Sequence, residues 1–269
     1  MTTQFLEHDG GQIAYDDTGG TGPLVIAAPG MGDVRTVYRH LTPLLTDAGL
    51  RVVTMDLRGL GESSVEWGSY TDEAVASDYL ALVDHLNSGS ALLIGNSKTC
   101  ASAVIAATTA PDKVKGIAVL GPFVRVVPMK WWQKAAFVVM LAPPWGQSAW
   151  VAYYRKNLYP GPKPADHDDY TAKLSSNLQE RGRMAAFRKL AADDHAESGR
   201  RLGDVSVPAL VVMGTADPDF PDATAEAKDV AAILNAKLVF VEGSGHYPQA
   251  DNPNAVAPAI IDLVQPTNG

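Results

Sequence analysis

The run Leu24-Val25-Ile26-Ala27-Ala28 contains no polar residue. A strand with one wet face alternates apolar and polar side chains. An unbroken apolar run of this length belongs to a strand covered on both faces. Comparable segments recur at Arg51 to Met55, Ala91 to Gly95, Val114 to Leu120, Ala209 to Met213 and Lys237 to Val241. Helical spacing falls between them. Val37, Leu41, Leu44 and Leu45 set it over residues 36–48, and Val75, Tyr79, Leu82 and Leu86 over 72–87. A small-residue helix is expected from Cys100 to Ala110, with others at 223–234 and 253–264. Strand and helix in strict alternation predict an α/β fold, a mostly parallel central sheet flanked by helices. Two short strands, 4–8 and 12–16, turn at Asp9-Gly10-Gly11 ahead of it.

The alternation stops near residue 122 and resumes near 205. Between them lie helical stretches near 128–142, 146–157, 168–180 and 182–194, punctuated by Pro143-Pro144 and by prolines from Pro160 to Pro164. The pattern predicts a core of residues 1–121 and 205–269 with a helical cap inserted over 122–204.

Chemistry-bearing residues gather at the predicted strand ends, where an open parallel sheet binds its ligands. Ser97 follows Gly95-Asn96 at the sharp turn between a strand and a helix. Asp217 stands three residues past Gly214, and His246 sits in Gly243-Ser244-Gly245-His246 beyond the last strand. The glycine loop Pro29-Gly30-Met31-Gly32 ends the first long apolar run. A serine hydroxyl needs a base to take its proton and an acid to orient that base. Ser97, His246 and Asp217 can fill those roles in acyl transfer. The amides of Met31 and Lys98 can serve as the oxyanion site. Asp219 and Asp222 are rivals of Asp217, with the alternative of starting the next helix, where carboxylates are favoured. His167 and His195 lie in the insertion and have some prospect of reaching a pocket.

In this order and setting, the serine turn, aspartate and histidine resemble the α/β-hydrolase fold, esterase type, with a helical cap. Asp56, Arg58, Gly59, Gly61 and Ser63 resemble the D-x-R-G-x-G-x-S loop of that family. Two positions depart from its pattern. Thr99 stands where the elbow G-x-S-x-G has its second glycine, and Pro29-Gly30 replaces a His-Gly pair before the oxyanion site.

The resemblance implies a serine hydrolase that cleaves small carboxylic esters through an acyl-enzyme, with no metal and no cofactor. A C–C hydrolase, lactonase, thioesterase, aminopeptidase or cofactor-free perhydrolase would use the same residues. So would a non-enzymatic small-molecule receptor of this fold. An aspartate at position 97 would have pointed to a dehalogenase or epoxide hydrolase. Trp131, Trp132, Trp145, Trp150, Tyr153 and Tyr154 are expected to form the cap core. Trp131, Trp132, Trp150 and Tyr154 are candidates for the substrate pocket. Lys98 is expected on the surface or at the pocket rim.

Composition narrows the partners. The chain has 269 residues, 22 Lys+Arg against 30 Asp+Glu, and a formal charge of −8. That balance argues against nucleic acid and against an anionic membrane. Cys100 is the single cysteine, so there is no intrachain disulfide and no cysteine-based zinc site. The first residues show no basic-then-apolar leader. The run from Ala135 to Trp145 is too short to cross a bilayer. A cytoplasmic protein with a small-molecule ester substrate is the expectation, and the oligomeric state stays open.

Overall fold

The computed structural model describes residues 2–265. Eight strands form one sheet: β1 (Gln4–His8), β2 (Gly11–Asp17), β3 (Leu24–Ala28), β4 (Arg51–Met55), β5 (Ala91–Asn96), β6 (Val114–Leu120), β7 (Ala209–Gly214) and β8 (Lys237–Val241). Their order is β1-β2-β4-β3-β5-β6-β7-β8. β1 and β2 form an antiparallel hairpin, β2 pairs antiparallel with β4, and all later pairings are parallel. The unbroken apolar runs of β3, β5 and β7 are buried at every residue, the two-sided burial their composition requires.

The helices are α1 (Leu41–Asp47), α2 (Asp72–His85), α3 (Thr99–Thr109), α4 (Trp131–Met140), α5 (Gly146–Lys156), α6 (His167–Gln179), α7 (Arg183–Leu190), α8 (Ala196–Arg201), α9 (Ala223–Leu234), α10 (Pro248–Asp251) and α11 (Pro253–Val264). Five of them, α4 to α8, lie between β6 and β7. None of the described helices is long and apolar enough to cross a membrane.

Two stretches differ from the expected pattern. The helix expected over 36–48 is split into a 3-10 segment, Arg35–His40, followed by α1. Pro43 has no N–H to bond four residues back, so regular α-helix starts only beside it, where a first-turn proline is tolerated. The helix expected over 182–194 ends at Leu190, and α8 begins only after His195, whose φ is 63°. Asp194, just ahead of it, accepts from the Ala196 N–H at 3.0 Å and closes a local turn there.

The chain runs from β3 to β4 on one side and returns to β5 on the other. This reversal puts the crevice at the carboxyl end of β3 and β5. The Asp56 loop braces it. The Asp56 carboxylate accepts the Arg35 N–H at 2.7 Å and the Glu62 N–H at 3.0 Å, and is ion-paired with the Arg35 guanidinium. Arg58 is fully buried between Asp78, at 2.7 Å, and Asp9, at 2.6 Å, with its guanidinium over the Trp67 ring. Both arginines are consumed in holding the loop.

Candidate active site

Ser97 stands at the apex between β5 and α3 with φ 57°, the left-handed region that a non-glycine residue occupies only under constraint. The constraints are visible. The Ser97 N–H donates to Leu120 O at 2.9 Å, and Ser97 O accepts from the Cys100 N–H at 3.0 Å. Gly95 lets α3 fold back on the strand, since a Cβ there would sit 2.5 Å from Thr99 O. Thr99, at the position where the family pattern has glycine, fastens the turn. Its Oγ1 accepts from the Asn96 N–H at 2.9 Å and lies 3.0 Å from both Ala28 O and Asn96 O. The departure therefore exchanges a close approach for a buried hydroxyl that joins β5 to the end of β3.

Gly30 packs against the serine, because a Cβ on it would stand 3.1 Å from Ser97 Cβ. Asp33 N–H closes the following turn on Gly30 O at 3.3 Å. Among the described residues, the main-chain N–H groups of Met31 and Lys98 donate to no protein acceptor. Two unspent donors thus follow directly in the chain on Gly30 and Ser97, the two residues in contact.

Asp217 and His246 come together from the ends of β7 and β8. His246 Nδ1 lies 2.7 Å from Asp217 Oδ2, and the other Asp217 oxygen accepts the Asp219 N–H at 3.0 Å. His246 N–H donates to Leu158 O at 3.0 Å, which ties the loop to the segment after α5. Asn96 bridges this loop to the elbow, its Nδ2 donating to both Leu120 O and His246 O at 3.1 Å. Gly121 forms the floor. Its φ is 55°, and an added Cβ would lie 3.1 Å from His246 Nδ1 and 3.3 Å from Asp217 Oδ2. Sequence reading passed over Asn96 and Gly121. Gly121 carried one signal, a glycine directly after a buried strand.

The rivals of Asp217 separate by position. Asp222 caps α9, accepting the Ala225 N–H at 2.9 Å. Asp219 lies on the opposite side of the imidazole, with Oδ2 3.7 Å from Nε2, and accepts the Tyr153 hydroxyl. Burial pushes the Asp219 carboxyl upward. Burial disfavours the charged imidazole, but the Asp217 and Asp219 carboxylates outweigh it, and the His246 pKa is pushed up to about 9. Asp217, Asp219 and His246 also offer ligand atoms within 4.8 Å of one another. Those atoms already serve each other, the Asp219 amide and Tyr153.

Two sequence expectations are corrected. Lys98 is not at the surface or a pocket rim: it is 1% exposed, with Nζ 2.5 Å from Asp72 Oδ1 at the first turn of α2. Asp72 Oδ2 lies 2.6 Å from His195 Nδ1, so this histidine from the inserted helices is engaged with α2. Trp131 and Trp132 are 81% and 53% exposed on α4 and do not belong to a cap core, and Trp145 is likewise exposed. Trp150 and Tyr154 are buried. Trp150 Nε1 donates to Gly32 O at 3.1 Å, and the Tyr154 hydroxyl donates to Asp33 at 2.9 Å. Asp33 also accepts from Tyr170, and burial lifts its pKa to about 6. These bonds tie α5 and α6 to the glycine loop. His167 is buried against Tyr154 and Tyr159, away from His246 hydrogen bonding.

A sequence model described as "Alpha/beta hydrolase family" matches residues 25–259. The 2-hydroxy-6-oxononadienedioate/2-hydroxy-6-oxononatrienedioate hydrolase of Paraburkholderia xenovorans is 27% identical over 98% of this chain and 95% of its own length. Polyketide synthase ThaQ of Burkholderia thailandensis is 28% identical over 99% of this chain, which spans only 13% of that protein. A thermophilic esterase from Thermogutta terrifontis, solved with malate bound, superposes with a TM-score of 0.77 at 24% identity, covering 98% of each chain. That last likeness is one of fold.

Proposed function

The chain belongs to the alpha/beta hydrolase family, and on that footing we propose that it is a serine hydrolase of small, uncharged carboxylic esters. One observation carries the reading. Ser97 is held at φ 57° on the elbow after β5, while a His246–Asp217 pair, 2.7 Å apart, sits at the ends of β7 and β8 on the same edge of the sheet. In the proposed reaction His246 Nε2 takes the Ser97 proton as Oγ attacks the ester carbonyl. Asp217 steadies the imidazolium, and the Met31 and Lys98 amides receive the oxyanion. Collapse expels the alcohol, which takes the proton from His246. Water, deprotonated by the same imidazole, then releases the acid.

Residues 122–204 act in this proposal as a cap over the site, with 1–121 and 205–269 as the core. Trp150 and Tyr154 remain cap residues bonded to the glycine loop, through Gly32 and Asp33. An uncharged substrate is favoured by charge. The P. xenovorans relative is named for a dioate. A dianion would need cations, whereas here Lys98 is bound to Asp72 and the carboxylate beside His246 Nε2 is Asp219.

The test is labelling with a fluorophosphonate alongside turnover of 4-nitrophenyl acetate, in the natural protein and in Ser97→Ala. Labelling vanishes and turnover falls by at least about a thousandfold in the variant. Turnover retained by Ser97→Ala refutes the proposal.

A further inference from the structure

A surface helix normally turns its apolar stripe inward. α4 does the reverse. Trp131, Ala135, Val138 and Val139 recur at helical spacing and all face solvent, Val138 at 67% exposed. Only Phe137 and Met140 pack against the core. Trp132, Met129 and Trp145 extend the same exposed apolar surface. So large an apolar face on a monomer marks a contact surface.

Charge selects what it meets. Between Asp112 and Asp166 the chain has no Asp or Glu, although the whole carries 30. Lys130 and Lys134 flank the stripe, both exposed and without a carboxylate partner among the described residues. Arg188 leans on the end of the helix, donating to Leu141 O at 3.3 Å. The net charge of −8 hides this local reversal. A second copy docking symmetrically would bring Lys130 and Lys134 against their own images. An anionic surface would be attracted instead. Tryptophan and lysine around an outward apolar stripe match a helix lying in a membrane interface.

We propose that α4 docks the protein onto an anionic lipid surface, with Trp131, Val138 and Val139 entering the acyl boundary and Lys130 and Lys134 meeting lipid phosphates. The inference is independent of the reaction assigned to Ser97.

The full chain is mixed with vesicles of phosphatidylcholine containing phosphatidylglycerol, or of phosphatidylcholine alone, and sedimented at low salt. The protein pellets with the anionic vesicles, its tryptophan emission shifts to the blue, and added salt reduces binding. Lys134→Glu weakens binding by at least about fivefold, the effect of one interfacial charge, and Val138→Asp does the same or more. Both variants keep natural turnover of soluble 4-nitrophenyl acetate, which shows that they are folded. The proposal is overturned by no pelleting, by equal pelleting with both vesicle types, or by Val138→Asp converting a dimer to a monomer without change in vesicle binding.

Discussion

Asp219→Asn removes one negative charge beside His246 and keeps an oxygen that can accept from Tyr153. The separation is 3.7 Å between Asp219 Oδ2 and His246 Nε2. At that distance a unit pair is worth ~1.1 kcal/mol in a water-like dielectric and ~4.5 kcal/mol at an effective dielectric of 20. The Asp219 side chain is 21% exposed, so solvent weakens the pair and the lower half of that range applies. At 1.36 kcal/mol per pH unit, the change comes to about one to two pH units. The direction follows from the charge. An ionised Asp219 favours imidazolium, so its loss lowers the His246 pKa from about 9 toward about 7 to 8. Only neutral imidazole can take the Ser97 proton. The acidic limb of the kcat/KM profile, which reports the free enzyme, therefore moves to lower pH. At pH 7 a base of pKa about 9 is roughly 1% neutral, and one of pKa about 7.5 is roughly a quarter neutral. The variant should then exceed the natural protein by about tenfold or more at pH 7 and match it above pH 10. The assay is kcat/KM for 4-nitrophenyl acetate from pH 5.5 to 10.5, corrected for spontaneous hydrolysis. A limb that stays in place, or moves up, refutes the electrostatic reasoning.

Two further outcomes follow from the elbow and its floor. Gly121→Ala places a methyl 3.1 Å from His246 Nδ1 at a φ of 55°, so the His246–Asp217 pair is displaced; kcat falls by roughly a hundredfold with little change in KM. A kcat within threefold of natural would show that the floor tolerates the group. Thr99→Val keeps the shape but leaves the Asn96 N–H without its acceptor, while the Ala28 carbonyl keeps the Tyr38 hydroxyl at 2.7 Å; the cost is ~2 kcal/mol and roughly 4–8 °C in Tm, whereas Thr99→Ser retains most of the stability. Calorimetry with all three proteins decides it, and equal melting of valine and threonine forms would contradict the bonding described.

The sheet was legible because two-sided burial leaves an unbroken apolar run, as in Leu24–Ala28 and Ala209–Gly214. The grouping at strand ends was legible too, since parallel topology brings those ends to one edge. Which side of the imidazole each aspartate takes was not. Asp217 and Asp219 are two residues apart in the chain, and only the backbone turn puts them on opposite ring nitrogens. Lys98 looked like a surface residue because its partner Asp72 is remote in sequence and arrives with α2. Composition points the tryptophans of α4 inward, yet periodicity cannot say which face of an apolar helix is covered when most of the helix is apolar.

The Thr99 hydroxyl reaches from the elbow to the Ala28 carbonyl, one residue before Pro29 and the glycine loop. The two amides proposed to receive the oxyanion follow neighbouring strands, β3 and β5, whose parallel ladder runs up to Ala28 and Gly95, and this hydroxyl adds a side-chain bond at the edge where they react. Warming therefore has no gradual way to pull the amides apart while the sheet survives. Loss of activity and loss of structure should occur as one event on the temperature axis, and in Thr99→Val the first should come before the second.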